Sequence, residues 1–218
     1  MHQTNDPHRD QSVLERGHAL DGASGAVILL HGRGASADDI LGVADEFALS
    51  GIAYLAPEAA GHVWYPYSFL APLEQNQPWL DSALRKVGGV VERAVASGLP
   101  RNRIAIAGFS QGACLASEFV ARNPAAHGGL IAFTGGLIGP PGTKFNYSGS
   151  LPGTEVFLGS GDPDVHVPWE RVAETSAVLT TLGANVTLRR YPGMPHTINR
   201  DEIAEARKII ARLAAPSH

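Results

Sequence analysis

Short runs of apolar, largely β-branched residues recur along this 218-residue chain, and segments with helical periodicity separate them. The runs show no alternation of polar and apolar residues, which is typical of strands buried on both faces of a parallel sheet. This recurrence restricts the fold more than any other feature of the chain. The predicted strands are residues 26–30, 52–56, 104–107, 130–133, 155–158 and 186–190.

The segments of helical periodicity have recognisable ends. The first places Leu80, Leu84 and Val87 on one face and stops at Gly98 and Pro100. Before the last segment, Asn199 and Glu202 have the spacing of a capping box. Strands alternating with helices predict an α/β domain, with a mostly parallel central sheet and helices on both faces. The predicted helices are residues 79–97, 111–122, 169–182 and 201–213.

Length and composition limit the possible functions. A chain of 218 residues, 44% hydrophobic and 17% charged, suits one domain over residues 1–218, with residues 1–12 as a polar N-terminal tail. Basic residues are scattered and the formal net charge is −4, so we expect no nucleic-acid partner. The apolar runs are too short to span a bilayer, and we expect no stable membrane association. A single cysteine excludes an intramolecular disulfide and favours a cytoplasmic location.

The sequence Gly108-Phe109-Ser110-Gln111-Gly112 lies between a predicted strand and a predicted helix. In that context G-x-S-x-G is typical of a sharp turn that presents a serine hydroxyl above the carboxyl edge of a sheet. A serine between glycines is more often a plain turn, but the flanking strand and helix favour a nucleophile. Ser110 is therefore the candidate nucleophile.

A serine nucleophile needs a general base, and the base needs an orienting acid. In the α/β-hydrolase order the acid and then the histidine follow later strands. Asp162 and Asp164 both follow the predicted strand at residues 155–158, and His196 follows the strand at 186–190. The order of residues leaves the choice between the two aspartates open. His196 is the candidate base.

An upstream glycine-containing loop can complete such a site. The strand at residues 26–30 leads into His31-Gly32-Arg33-Gly34. An N–H of this loop and the N–H of the residue after the nucleophile would together hold an oxyanion. We assign these donors to the backbone of Arg33 and Gln111, and we expect His31 to be structural because it precedes the nucleophile.

Taken together, LLHGRGA, GFSQG, GDPDVHVP and GMPHTIN resemble the phospholipase/carboxylesterase family of α/β-hydrolases, from about residue 26 to the end of the chain. The resemblance implies a cofactor-free serine hydrolase of the α/β-hydrolase fold with a catalytic triad and no large cap domain. The family pattern G-D-x-D-x-x-V-P aligns without gaps and implies that Asp164, not Asp162, is the catalytic acid. Ser160 and the HGRGA sequence depart from many acyl-protein thioesterases of the family, so esters are favoured over acylated proteins.

Five aromatic residues lie in the proline-punctuated segment at 57–79. They can form the wall of an acyl pocket beside Ser110, with Trp64 and Trp79 as the substrate-binding candidates. They can equally form a hydrophobic cluster that holds the segment in place. The other long segment, residues 135–153, is rich in glycine and proline and cannot form a helical lid.

These features predict a serine carboxylesterase for small-molecule ester or thioester substrates. Lysophospholipase and acyl-protein thioesterase are the alternatives within the family, and a non-catalytic ligand-binding protein of the same fold is the alternative of another class. The sequence contains no zinc-site spacing, and no metal is predicted. An open site permits a homodimer without requiring one.

Overall fold

The computed structural model describes residues 6–214, which form a sheet of seven strands flanked by helices. The strand order is β1-β3-β2-β4-β5-β6-β7, with β1 antiparallel to β3 and every other pair parallel. The strands are β1 (Val13–Gly17), β2 (Gly25–Leu30), β3 (Ile52–Pro57), β4 (Ile104–Phe109), β5 (Gly129–Phe133), β6 (Glu155–Asp162) and β7 (Asn185–Pro192).

Helices cover both faces of the sheet. One apolar cluster joins α1 and α5 to one face, and a second joins α2, α3 and α4 to the other. None of the helices within residues 6–214 is long and apolar enough to cross a membrane. The helices are α1 (Ala37–Phe47), α2 (Trp79–Ala96), α3 (Gln111–Arg122), α4 (Trp169–Thr181) and α5 (Arg200–Ala214).

Every predicted strand and helix is present, and the structure adds β1 and α1. Strand β1 lies at the edge of the sheet and is largely exposed, so it lacks the apolar run that marks the buried strands. Helix α1 begins with a capping box between Ser36 and Asp39 and buries Ile40, Leu41 and Phe47. That start signal and periodicity were present in the sequence.

The parallel strands bring six loops to one edge of the sheet. The loops after β2 and β4 meet where the chain reverses its direction of strand addition, which is where ligands bind in open α/β sheets. The loops after β6 and β7 carry Asp164 and His196 to the same edge. We call residues 58–78, after β3, the aromatic loop, and residues 134–154, after β5, the glycine-rich loop. The glycine-rich loop contains no helix, as the sequence predicts.

Residues 6–12 do not form the predicted polar tail but pack against the rest of the protein. His8 is fully buried, and its ring lies 5.5 Å from Trp64 and 5.4 Å from Trp79. Asp6 accepts hydrogen bonds from Ser82 and Arg85 of α2. Composition alone gave no sign of these contacts, because they depend on partners more than fifty residues away in the chain. The first five residues of the predicted tail lie outside the described residues.

Candidate active site

Ser110 occupies the sharp turn between β4 and α3. Its backbone has φ 55° and ψ −118°, a conformation that is strained for any residue other than glycine. Its N–H donates to the Phe133 carbonyl at 3.0 Å, which ties the turn to the neighbouring strand. Strain of this kind persists only where the surroundings impose it, and it holds the hydroxyl above the carboxyl edge of the sheet.

The glycines on either side of Ser110 are required by close backbone approaches. A Cβ at Gly108 would lie 2.4 Å from the Gly112 carbonyl carbon, because the strand and helix meet there. A Cβ at Gly112 would lie 2.1 Å from the Leu30 carbonyl oxygen of β2. Neither position accepts a side chain without displacement of the backbone. The G-x-S-x-G spacing therefore follows from packing as well as from the turn.

His196 lies beside Ser110, although the two residues are far apart in the sequence. The loop after β7 carries it, and its Nε2 is 2.8 Å from Ser110 Oγ. Its ring packs 4.9 Å from the ring of Phe109, and 18% of its side chain is exposed. The imidazole is thus both in contact with the hydroxyl and open to the solvent side, as a general base for hydrolysis requires.

Asp164, rather than Asp162, faces the histidine. The Asp164 Oδ2 lies 2.8 Å from His196 Nδ1, and its Oδ1 accepts hydrogen bonds from the N–H groups of His166 and Val167, each at 2.8 Å. Asp162 instead pairs with Arg190 on β7. The geometry therefore separates two aspartates that the order of residues along the chain left equivalent.

The environment of Asp164 keeps it ionised. Its side chain is fully buried, and burial by itself would raise its pKa. The N–H groups of His166 and Val167, together with His196, outweigh that effect and hold the pKa of this carboxyl below its usual value. A carboxylate at this position accepts the Nδ1 proton of His196, which leaves Nε2 as the acceptor for the Ser110 hydroxyl.

Two backbone N–H groups are available where an oxyanion would form. Arg33 follows β2, and Gln111 is the first residue of α3; neither N–H donates to an acceptor within residues 6–214. Gly32 leaves the space beside Ser110 open, since a Cβ there would approach Ser110 Cβ to 3.6 Å. Free N–H groups at a helix N-terminus carry partial positive charge and favour an anion.

A cavity of about 440 Å³ opens beside these groups. Its lining joins residues 32, 33 and 35 of the loop after β2, together with Ser110 and His196, to aromatic residues, most of them from the aromatic loop. Most ligand cavities combine apolar walls with a few polar groups at one end, and this cavity has that arrangement. The aromatic residues of the lining are Tyr65, Tyr67, Phe69 and Phe109.

Trp64 and Trp79 do not line the cavity, contrary to the expectation from the sequence. Trp64 is fully buried, donates from Nε1 to the His31 carbonyl at 2.9 Å, and packs 5.0 Å from the His31 ring. Trp79 begins α2 and packs against His8. Trp64 thus holds the aromatic loop against the protein, which was the alternative interpretation of this segment, and Trp79 packs against the N-terminal segment.

The family model for phospholipase/carboxylesterase matches residues 18–214. The chain belongs to this family. Its curated relatives include a probable carboxylesterase from Oryza sativa, 28% identical over 61% of this chain and 51% of the relative. They also include an acyl-protein thioesterase 1 from Neurospora crassa, 31% identical over 52% of this chain and 47% of the relative. The chain thus spans about half the length of these relatives.

Two solved structures match over most of their length. A phospholipase/carboxylesterase from Dyadobacter fermentans is 47% identical, with a TM-score of 0.88 over 92% of this chain and 96% of that one. A carboxylesterase from Bacillus cereus shares the fold with a TM-score of 0.73 at 19% identity, over 94% of this chain and 95% of that one. The α/β-hydrolase fold expected from the sequence is confirmed, and no cap domain is present within residues 6–214.

Two further residues of this family member reach the cavity. Cys114 and His166 contribute to its lining. The Cys114 thiol is buried, and burial raises its pKa to about 12, so it is not a nucleophile at neutral pH. The exposed ring of His166 lies 4.8 Å from that of His196. The places of both residues in the lining emerge only from the fold.

The loop that carries His196 is fixed at the start of α5. Asn199 Oδ1 accepts from the N–H of Glu202 at 3.0 Å, and Glu202 Oε2 accepts from the N–H of Asn199 at 2.9 Å. The predicted capping box is therefore confirmed. Glu202 is fully buried, and burial raises its pKa to about 7.

Proposed function

We propose that this protein is a serine carboxylesterase that hydrolyses carboxylic esters through an acyl-enzyme. The observation that carries the proposal is the continuous arrangement Ser110–His196–Asp164, with 2.8 Å between Ser110 Oγ and His196 Nε2 and 2.8 Å between His196 Nδ1 and Asp164 Oδ2. This arrangement lies at the mouth of a partly apolar cavity. Membership of a family with members named carboxylesterase supports the same reaction.

In the acylation step, Ser110 Oγ attacks the ester carbonyl carbon while His196 Nε2 takes the hydroxyl proton. Asp164 keeps the Nδ1 proton in place and stabilises the imidazolium that forms. The carbonyl oxygen becomes an oxyanion, which accepts hydrogen bonds from the N–H groups of Arg33 and Gln111. His196 then donates its proton to the leaving alcohol as the ester C–O bond breaks.

In the deacylation step, water attacks the acyl-enzyme and gives a proton to His196. The second tetrahedral intermediate uses the same oxyanion donors. It collapses as the proton returns from His196 to Ser110 Oγ, which releases the carboxylic acid. The residues of the site thus supply a nucleophile, a base, an orienting acid and an oxyanion hole without a cofactor.

The cavity supports an ester with an apolar acyl group. Tyr65, Tyr67 and Phe69 contribute aromatic residues to the lining of the cavity beside Ser110. Burial of each methylene against such surface is worth about 0.8 kcal/mol. Thioester hydrolysis is the second candidate, because relatives of this chain are named acyl-protein thioesterase. We also propose a cytoplasmic location, which the single buried free thiol supports.

The test is hydrolysis of p-nitrophenyl esters from acetate to palmitate by the wild-type protein and by Ser110→Ala. We expect the substitution to lower kcat by about 10⁶-fold, as loss of a serine nucleophile does elsewhere. The matched control is Ser117→Ala on the same helix, since the Ser117 hydroxyl is buried and donates to the Ala113 carbonyl at 2.9 Å. Its kcat should stay near that of the wild type.

The chain-length profile then refines the substrate class. A maximum at intermediate chain length would support an acyl group enclosed by the aromatic residues of the cavity lining. A greater rate with an S-acyl peptide than with any ester would favour the thioesterase. No Ser110-dependent hydrolysis, together with no labelling of Ser110 by a fluorophosphonate probe, would refute the catalytic proposal.

A further inference from the structure

The two residues proposed to hold the oxyanion through their backbones also use their side chains, and both side chains reach the same segment. The Arg33 guanidinium donates to the carbonyls of Tyr65 at 2.8 Å, Pro66 at 3.0 Å and Tyr67 at 2.8 Å. The Gln111 side chain donates from Nε2 to the Tyr65 carbonyl at 2.8 Å and accepts from the Trp64 N–H at 3.0 Å. We call residues 64–67 the wall segment.

The Tyr65 carbonyl is the point where these contacts meet. It accepts one hydrogen bond from Arg33 and one from Gln111. One atom of the wall segment thereby connects the loop after β2 to the first residue of α3. A planar guanidinium with its donors in a fixed fork suits three successive carbonyls, whereas a lysine ammonium is a single point charge.

Further hydrogen bonds join the loop after β2, which carries Arg33, to the aromatic loop. The Gly34 N–H donates to the His62 carbonyl at 2.8 Å, and Trp64 Nε1 donates to the His31 carbonyl at 2.9 Å. Gln111 and Trp64 are buried, so these bonds are made in surroundings where loss of a partner is costly. The two loops therefore hold their relative position as one unit.

The wall segment also faces the substrate. Tyr65, Pro66 and Tyr67 line the cavity beside Ser110. The carbonyls of this segment bind the residues that carry the proposed oxyanion donors, and the segment itself lines the space proposed for the acyl group. A displacement of the wall segment would therefore displace the proposed oxyanion donors, and loss of one such donor lowers kcat by about 10²- to 10³-fold.

We infer that the side chains of Arg33 and Gln111 are positioning residues that couple the acyl-pocket wall to the oxyanion hole. The inference deepens the proposed esterase function and rests on it. Loss of the Arg33 fork should weaken transition-state binding rather than ground-state binding, so kcat should fall while KM changes little. Substrates with an acyl chain that reaches the wall should show the effect most strongly.

The test compares Arg33→Lys with the wild type, using p-nitrophenyl butyrate. We expect kcat to fall about tenfold or more and KM to change by less than about twofold, as for an interaction made in the transition state. An alkyl boronic acid provides a second readout, because Ser110 Oγ bonds to boron and one boronate oxygen enters the oxyanion hole. Its inhibition constant should rise by the same factor as kcat falls, while competitive inhibition by butyric acid stays unchanged.

The matched control is Arg103→Lys. Arg103 also donates to two backbone carbonyls, those of Arg212 at 3.0 Å and Leu213 at 2.7 Å, but it lies at the start of β4, far from the loops of the site. This control measures how far the replacement of any carbonyl-binding arginine lowers stability and activity. Its melting temperature should fall, while kcat and the boronate inhibition constant stay at the wild-type values.

A rescue experiment covers the case in which Arg33→Lys folds poorly. In Arg33→Ala the exposed position of the side chain leaves room for methylguanidinium, which should restore part of kcat, whereas methylammonium should not. In the double variant Arg33→Ala/Gln111→Met, the loss of kcat should differ from the product of the two single losses. Such non-additivity is expected since both side chains bind the Tyr65 carbonyl.

The outcomes separate this inference from the proposed function. If the wild type lacks Ser110-dependent esterase activity, the proposed function itself fails. If that activity is present but Arg33→Lys behaves like Arg103→Lys in kcat and boronate affinity, the coupling is refuted. A rise in KM at constant kcat would also refute it, because Arg33 would then contribute only to substrate binding.

Discussion

The aromatic loop and the glycine-rich loop leave the same edge of the sheet, yet only the aromatic loop contributes to the lining of the cavity beside Ser110. Both loops are held by an arginine that binds three backbone carbonyls. Arg33 binds the aromatic loop, and Arg171 binds the glycine-rich loop through the carbonyls of Leu137, Gly139 and Pro140. An arginine bound to backbone carbonyls thus fixes a loop that lines the cavity in one case and a loop that lies outside the lining in the other.

The two loops differ in what else holds them. His8 accepts from the Ala60 N–H through Nδ1, and His31 accepts from the Ala59 N–H through Nε2, so each imidazole must be neutral to hold the aromatic loop. The glycine-rich loop is held by charges: Glu118 accepts from the Ile138 N–H and from the Tyr147 hydroxyl. The aromatic loop is therefore held by contacts that need neutral imidazoles, and the glycine-rich loop by contacts to a carboxylate.

Among the changes that test the difference between the two loops, Arg171→Met should have the largest effect, a loss of stability. Arg171 is 4% exposed and makes three hydrogen bonds to carbonyls, so its replacement leaves buried acceptors without partners. We expect the free energy of unfolding to fall by about 4 kcal/mol in denaturant titration. The kcat of the folded fraction should stay within about threefold of wild type; a loss as large as that of Arg33→Lys would show that both loops serve catalysis.

Lowering the pH should loosen the aromatic loop selectively. Burial lowers the pKa of His8 and of His31, although Asp6 and Glu58 nearby act in the opposite direction. Neutral rings favour the folded loop, so their contribution is complete above the usual histidine pKa of 6.5 and is lost as pH falls below it.

Hydrogen exchange measures this difference. Corrected for intrinsic rates, protection of the Ala59 and Ala60 amides should decrease by up to about tenfold per pH unit for each histidine below pH 6.5. The Ile138 amide, which is bound by Glu118, serves as the internal control and should keep its protection. Equal losses in both loops would indicate general opening instead.

Phe69→Ala should change the acyl preference. Phe69 lines the cavity from the aromatic loop, whereas Phe145 in the glycine-rich loop stacks on Tyr147 and lies outside the lining. We expect kcat/KM for long-chain p-nitrophenyl esters to fall about tenfold relative to acetate in Phe69→Ala. Phe145→Ala is the matched control, and a shift of chain-length preference there would contradict the division between the loops.

The smallest effect should be that of Tyr147→Phe. The Tyr147 hydroxyl donates to Glu118 Oε2 at 3.0 Å, and the substitution removes this bond while leaving the ring. Thermal or denaturant unfolding should show a loss of about 1 kcal/mol. Ester hydrolysis should be unchanged; a fall in kcat would place the glycine-rich loop in the catalytic unit.

The sequence by itself determined the buried strands, four of the helices, the turn at Ser110 and the chain order of the candidate acid and base. These are local signals: apolar runs, helical periodicity, capping at Asn199 and glycines at 108 and 112, each with a local physical cause. The edge strand β1 was not predicted because an exposed strand has no apolar run. Helix α1 was not predicted either, although its capping box can be recognised in the sequence.

Only the tertiary structure decided which side chains meet. It placed Asp164, which the family pattern had implied, rather than Asp162 against His196, and it also buried Trp64 and packed His8 against the aromatic loop. It also brought the side chains of Arg33 and Gln111 to one carbonyl of Tyr65. The physical reason is that side-chain orientation and contacts between distant segments depend on packing across the whole sheet edge, where neighbouring loops compete for the same space and the same hydrogen-bonding groups.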